Sequence, residues 1–157
     1  MDIKKKSGLL LDIGCGHNKR RGGFTGLDKR PGEGVDIVHD LEVFPYPLDD
    51  ESCLTIVGSH IVEHIKPWLM IDFMNELWRI LKPEGQLALS MPYGVSAGFV
   101  QDPTHCNPCN EATWMYFDPD KDLYRIYKPK PWRILAGFPV WQANGNLEVV
   151  MEKRNEG

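Results

Sequence analysis

Short apolar runs alternate with polar turns along most of this chain, which is the pattern of an α/β protein. Five runs have the length and the turn-forming boundaries of strands: residues 8–13, 24–27, 35–38, 54–57 and 86–91. The first run is continuously apolar, which is typical of a buried strand in a parallel sheet. We therefore predict a central sheet built mostly from parallel strands.

The clearest helix is predicted between the fourth and fifth strands. Its apolar residues recur at helical spacing on one face: Leu69, Phe73, Leu77, Ile80 and Leu81. Pro67 suits the first turn, and the segment 82–85, Lys-Pro-Glu-Gly, ends the helix. A shorter helical turn is predicted over residues 61–65.

The last third of the chain has a different pattern. Asn144-Gly145 lies between the apolar runs 134–141 and 147–151. This dipeptide is typical of hairpin turns in which both central residues take positive φ. We therefore expect an antiparallel hairpin over residues 132–152. Residues 93–131 are long and irregular, and we expect them to form the substrate side of the site because they follow a strand of the sheet.

Length and composition narrow the function. We expect the 157 residues to form one domain, residues 1–157, with residues 8–92 as its ligand-binding core. The net charge of −4 gives no general attraction to nucleic acid. The apolar runs are too short for a membrane span or a signal peptide. Four cysteines are too few for a disulfide framework, so we expect a reducing, cytoplasmic environment.

The strongest chemical signal lies where the first two strands end. Asp12, Gly14 and Gly16 end the first strand, and Asp28 ends the second. Glycines let a backbone approach a ligand closely, and the acidic residue can accept hydrogen bonds from ribose hydroxyls. The pattern predicts a nucleotide site. It disfavours a nicotinamide site, because Lys19 replaces the third glycine and the spacing to Asp28 is short.

Five segments in this order resemble the class I S-adenosylmethionine-dependent methyltransferases: LLLDIGCG, GLD, HDLE, GSHIVEHI and ELWRILKPEGQLALSMP. The chain is most similar to a small subgroup with D-x-G-C-G-x-N-K and a later D-P-T-H. The resemblance covers residues 8 to about 117. It implies a Rossmann-like fold with about seven strands and antiparallel C-terminal strands. Eleven residues separate Gly16 from Asp28, so we expect a shortened first helical crossover.

The resemblance implies S-adenosyl-L-methionine as the cofactor and eight contacts to it: Asp12, Gly14, Gly16, Asp28, Asp40, Leu41, Ser59 and His60. In the family, the glycine loop lies under the methionine part and Asp28 matches the residue that takes the ribose hydroxyls. Asp40 and Leu41 match the positions around adenine. Because the first crossover is short, Asn18 and Lys19 become candidates for holding the cofactor carboxylate.

Methyl transfer to a hydroxyl or an amine is helped by a general base. His105, which ends the D-P-T-H motif, and His60 are the catalytic candidates. Tyr93 and Asp102 join His105 as predicted substrate contacts. We expect a small-molecule acceptor or an exposed group of a larger one, and no nucleic acid, because residues 59–62 differ from the motif of enzymes that methylate base amino groups. The oligomeric state stays open.

Two alternatives remain. A chain that keeps this scaffold without catalysis would be a cofactor-binding or interaction module. His60, Glu63 and His64 also match the H-x-x-E-H motif of metal-dependent hydrolases. That motif needs a long helix and a distant third ligand, and some similar ubiquinone-pathway O-methyltransferases bind a divalent cation there. We expect no metal at this position.

Overall fold

The computed structural model describes residues 7–157, whose strands join in one sheet. The strands are β1 (Leu9–Ile13), β2 (Phe24–Asp28), β3 (Ile37–Val38), β4 (Cys53–Ser59), β5 (Leu81–Pro92), β6 (Trp132–Ile134), β7 (Val140–Trp141) and β8 (Asn146–Lys153). Their order is β3-β2-β1-β4-β5-β8-β6, and β7 also pairs with β8. The first five strands are parallel, and β8 is antiparallel to β5, β6 and β7. The predicted α/β architecture is confirmed, with eight strands instead of about seven.

The five predicted parallel strands are present, but three of them, β3, β4 and β5, differ clearly in length from the prediction. β3 contains only two residues. β5 begins directly after the helix, because Leu81 already pairs with Cys53. The register then shifts, and the next pair is Thr55 with Gln86. The segment that ends the helix, residues 82–85, is therefore a bulge within β5, with Glu84 at a φ of 61°.

One long helix covers the buried face of the sheet. It is α1 (Met70–Ile80), and its fully buried residues are Phe73, Met74, Leu77 and Ile80. Two 3₁₀ helices precede it, Val62–His64 and Pro67–Leu69, as the sequence predicts for residues 61–65 and for Pro67. Three short helices follow β5: α2 (Ala97–Val100), α3 (Glu111–Met115) and α4 (Tyr124–Tyr127). Within residues 7–157, no helix has the length and apolarity that crossing a membrane requires.

Over β4, β5 and β8 the sheet is buried mainly on one face. Burial alternates along β5: Leu87 and Leu89 are buried, whereas Ala88 and Ser90, which point to the other face, are only half-buried. β8 alternates in the same way along its whole length. The connections β1–β2 and β2–β3 contain turns and no helix, as predicted for the first crossover. The opposite face of the sheet is therefore partly open.

The predicted C-terminal hairpin needs a correction. Its first arm, residues 134–141, is not one strand: β6 ends at Ile134, β7 begins at Val140, and both pair with β8. Asn144-Gly145 does lie in the turn between β7 and β8, which the N–H of Gly145 closes on the carbonyl of Gln142 at 2.9 Å. Of the two turn residues only Gly145 has positive φ, so the expectation of positive φ at both is wrong.

Candidate functional site

The glycine loop after β1 is fastened to the end of β2. Oδ2 of Asp28 accepts a hydrogen bond of 2.9 Å from the backbone N–H of Gly16, and Oδ1 accepts one of 2.9 Å from that of Arg30. The N–H of Gly14 donates to the carbonyl of Leu27 at 2.8 Å. These bonds fix the loop and hold the half-buried Asp28 carboxylate at the carboxyl edge of the sheet.

The two loop glycines are required for different reasons. Both have a backbone in the left-handed region, with φ of 64° at Gly14 and 52° at Gly16. A Cβ on Gly14 would lie 2.0 Å from Cγ2 of Ile61, so the packing of the protein excludes a side chain there. A Cβ on Gly16 would meet nothing within 4 Å among the described residues. The backbone of Gly16 is therefore open to the close approach of a ligand.

A cavity of about 530 Å³ adjoins Gly16 and has the size of a small-molecule site. Six of the ten predicted cofactor residues line it: Gly14, Gly16, Asp28, Asp40, Leu41 and His60. Glu42 and Lys66 also line it, and their side chains form an ion pair. The hydrogen bond that Lys66 donates to the Glu42 carboxylate raises the pKa of Lys66. We call this space the Asp28 cavity.

A second cavity, of about 500 Å³, is lined by strands β4, β5 and β8 and also by Gly14. Three more predicted residues line it, Asp12, Asn18 and Ser59. Arg20 lines it too, although the sequence analysis missed this residue. The backbone N–H of Arg20 donates to Oδ2 of Asp12 at 2.7 Å. Burial raises the pKa of Asp12, and the bond from Arg20 opposes that effect. We call this space the Arg20 cavity.

Lys19, the last predicted cofactor residue, is not among the residues that line either cavity. Its Nζ lies 2.9 Å from Oδ2 of Asp36, which also accepts a hydrogen bond of 2.8 Å from the N–H of Gly26. The bonds from Gly26 and Lys19 lower the pKa of Asp36. The structure thus uses Lys19 to secure the connection between β2 and β3.

His60 follows β4 and has a left-handed backbone, with φ of 57°. Its Nε2 lies 3.3 Å from Nδ2 of Asn146. Because an amide nitrogen can only donate, Nε2 accepts this bond and the ring proton lies on Nδ1, which is 3.3 Å from Oε1 of Glu63. A non-glycine residue in this conformation beside a cavity is typical of functional sites.

A further group of polar side chains lies where the 3₁₀ helix Val62–His64 contacts the loop before α3. Glu63, His64 and His105 each offer one potential ligand atom, and these atoms lie within 4.8 Å of one another. The hydrolase motif predicted His60 in such a group, but His105 takes its place. The backbone N–H groups of Cys106 and Asn107 donate to the carbonyl of Glu63, at 2.8 and 3.1 Å, and hold the loop against the helix.

None of the predicted substrate residues, Tyr93, Asp102 and His105, is among the residues that line the two cavities. The Tyr93 hydroxyl donates to Oε2 of Glu111 at 2.8 Å, which raises the pKa of Tyr93. Oδ1 of Asp102 accepts from the N–H and the hydroxyl of Thr104, at 2.8 and 2.7 Å, and these bonds lower the pKa of Asp102. From residues 93–131, Thr104 lines the Asp28 cavity, whereas His105 is not among the residues that line it.

No protein-family model matches the sequence, and no curated protein matches it. Solved structures do match. A SAM-dependent methyltransferase from Archaeoglobus fulgidus aligns with a TM-score of 0.68 and 16% identity, over 95% of this chain and 87% of that one. The chain has the Rossmann-like methyltransferase fold. A chain from the complex between the Haloferax volcanii Trm112 methyltransferase activator and a methyltransferase described as putative aligns with a TM-score of 0.65 and 14% identity, over 94% and 83%.

This fold also supports other chemistry. The [4+2]-cyclase SpnF aligns with a TM-score of 0.57 and 16% identity, over 96% of this chain and 76% of that one. At such identities the comparison establishes the architecture, and an activity has to be argued from the residues of the site.

Proposed function

We propose that this protein binds S-adenosylmethionine and transfers its methyl group to an oxygen or nitrogen atom of a small or exposed acceptor. The observation that carries this proposal is the Asp28 cavity. There, a glycine backbone open to a ligand and a carboxylate at the end of the next strand lie together at the carboxyl edge of the sheet.

The chemistry of the Asp28 cavity fits a nucleoside. The Asp28 carboxylate accepts one backbone bond on each oxygen, and a carboxylate has about four acceptor positions, so two remain for ribose hydroxyls. Asp40 is exposed at the same cavity and can accept from an adenine amino group beside Leu41.

The Arg20 cavity suits the amino-acid end of the cofactor. Asn18 and Arg20 both line it, and a guanidinium group matches the geometry of a carboxylate. Lys19, the other candidate for that role, is paired with Asp36. Gly14 lines both cavities, so a ligand lying across the glycine loop would contact both.

When bound, the cofactor supplies an activated methyl group, and the protein has to orient the acceptor and receive its proton. His60 is placed for the second task, because it lines the Asp28 cavity and the lone pair of its neutral ring lies on Nε2, where a bound acceptor would displace the amide of Asn146. His105 is not among the residues that line the cavity, so we place the proton acceptor at His60 instead.

The proposal is tested with S-adenosylmethionine labelled in its methyl group. The protein is incubated with this donor and a fractionated cell extract, and the label in acceptor molecules is counted. We expect transfer by the unmodified protein, about 100-fold less by the H60A variant, and no change for the H39A control, whose ring bonds the carbonyl of Val43. Cofactor binding without transfer to any fraction would instead support the binding-module alternative.

A further inference from the structure

We propose that Glu63, His64 and His105 bind one divalent metal ion of the zinc type beside the Asp28 cavity. Their potential ligand atoms lie within 4.8 Å of one another. Two imidazole nitrogens and one carboxylate oxygen form a ligand set that favours Zn²⁺ and Co²⁺ over the oxygen-seeking Mg²⁺ and Ca²⁺.

The Glu63 side chain gives the first independent argument. It is only 1% exposed, and neither carboxylate oxygen forms a hydrogen bond with any part of residues 7–157. Nδ1 of His60 lies 3.3 Å from Oε1, but this contact lacks hydrogen-bond geometry. A buried carboxylate without donors is strongly destabilised unless a cation neutralises it. A metal ion held between Glu63 and the two imidazoles would supply that charge.

The hydrogen bond made by His105 leaves the other ring nitrogen available. Nδ1 of His105 lies 2.8 Å from the carbonyl oxygen of Phe99. Because a carbonyl only accepts, Nδ1 carries a proton, and the neutral ring therefore has its lone pair on Nε2. Metal-binding histidines almost always donate from the remote nitrogen to a carboxylate, a backbone carbonyl or a water, and His105 has such a carbonyl partner. Oδ2 of Asp102 lies 3.5 Å from Nε2 and adds negative charge on this side.

The same reasoning assigns the proton of His64. The hydroxyl of Thr104 donates its only hydrogen to Oδ1 of Asp102, at 2.7 Å. Nδ1 of His64 lies 3.2 Å from that hydroxyl oxygen and must therefore be the donor. In the neutral ring of His64, the lone pair then lies on Nε2. Both histidines thus offer the form of imidazole that binds metals.

The backbone holds these three residues in place without a ligand. The carbonyl of Glu63 accepts from the N–H groups of Cys106 and Asn107. The side chain of Asn107 is buried and donates to the carbonyl of Val62 at 3.2 Å. The loop that carries His105 is therefore fixed to the helix that carries Glu63 and His64, so the site needs little rearrangement to bind an ion.

Three protein ligands leave open positions on the ion, as in catalytic metal sites. His64 and Thr104 line the Asp28 cavity, so an open position can face an acceptor molecule. This step rests on the proposed function. A hydroxyl coordinated by the ion would pass its proton more easily to His60, the proposed proton acceptor, and its oxygen would then take the methyl group. The acceptor class is then a hydroxylated compound.

The metal site is tested without the cofactor. Chelator-treated protein is titrated with ZnCl₂ by calorimetry and with CoCl₂ by visible absorption. We expect one saturable site, weakened more than about tenfold in the E63Q, H64A and H105A variants. The H39A and C106S variants are the controls, the second because the exposed Cys106 thiol is a competing zinc ligand. Three results would each overturn the proposal: no saturable binding by the unmodified protein, binding by H64A and E63Q as tight as that of the unmodified protein, or loss of binding in C106S.

Two further measurements separate this inference from other causes. His64 is exposed, so the H64A variant should melt at the same temperature as the unmodified chain, and lost metal binding would not reflect unfolding. S-adenosylmethionine is titrated into the chelated protein in parallel. If the cofactor binds and zinc does not, only the metal site is wrong; if zinc binds and the cofactor does not, only the proposed function is wrong.

Discussion

The carboxylate of Asp28 accepts a hydrogen bond of 2.9 Å from the backbone N–H of Gly16. This bond joins the end of β2 to the loop after β1, and the Asp28 cavity opens at that junction. Asp28 therefore shapes the glycine loop and also faces the space where a ligand would bind. Substitutions at Asp28 have to be compared with substitutions that change the loop or the cavity alone.

The two loop glycines provide that comparison. We expect G14A to lose about 3 kcal/mol or more of stability, because its Cβ would lie 2.0 Å from a carbon of Ile61. G16A should lose only about 1–2 kcal/mol, the usual cost of a left-handed alanine, because its Cβ meets open space. Urea unfolding measures both values, and G16A should still lose affinity for S-adenosylmethionine. Equal losses of stability in G14A and G16A would show that the contact with Ile61 does not exclude a side chain at Gly14.

The Glu76 carboxylate links α1 to the loop between β3 and β4. It accepts from the N–H of Tyr46 at 2.6 Å and from two nitrogens of Arg79 at 2.6 and 2.9 Å. Burial by itself would raise the pKa of Glu76, but these bonds outweigh it and the pKa is lowered from 4.5. Because the folded pKa is the lower one, the stabilisation is present above about pH 4.5 and is lost as the pH falls through the folded value.

We therefore expect E76Q to lose about 2 kcal/mol of stability at neutral pH, the value of hydrogen bonds to a charged group. The difference from the unmodified chain should shrink as the pH is lowered below about 4.5. Denaturant unfolding over a pH series measures it. The control is D72N, an exposed carboxylate on the same helix, which should change stability by less than about 0.5 kcal/mol. A pH-independent difference for E76Q would contradict this account.

The four cysteines should differ sharply in reactivity. Cys106 is exposed, whereas Cys15, Cys53 and Cys109 are buried. Burial and the Glu63 charge raise the pKa of Cys109 to about 12, so its reactive thiolate is scarce. Iodoacetamide on the folded protein should label Cys106 alone, and all four should react in urea. Mass spectrometry of peptides reads the result, and native labelling of Cys109 would show that this loop opens.

The sheet and the glycine loop were predictable because their signals are local. Apolar runs and turn residues mark β1, β2, β4 and β5. The short spacing from Gly16 to Asp28 correctly predicted a shortened first crossover, which contains only turns. The position of the turn at Gly145 was predicted correctly. Its backbone conformation was not, because that depends on how β7 pairs with β8.

The finer parts of the site depend on contacts between distant segments. Arg20 was missed because the bond from its N–H to Asp12 sets the path of an irregular loop. Lys19 was a candidate from the sequence, but its ammonium group pairs with Asp36, which lies 17 residues later in the chain. His105 lies near Glu63 because main-chain hydrogen bonds join two segments that are some forty residues apart. Neither the H-x-x-E-H spacing nor helical periodicity could predict this contact.

The central claim is that the Asp28 cavity binds S-adenosylmethionine, and calorimetric titration tests it most directly. The unmodified protein and the D28A, G16A and H39A variants are titrated with the cofactor and with its demethylated product. We expect both ligands to bind the unmodified protein and H39A with one site, and D28A and G16A to bind them at least about tenfold more weakly while remaining folded. A folded, unmodified protein that binds neither ligand would contradict the account.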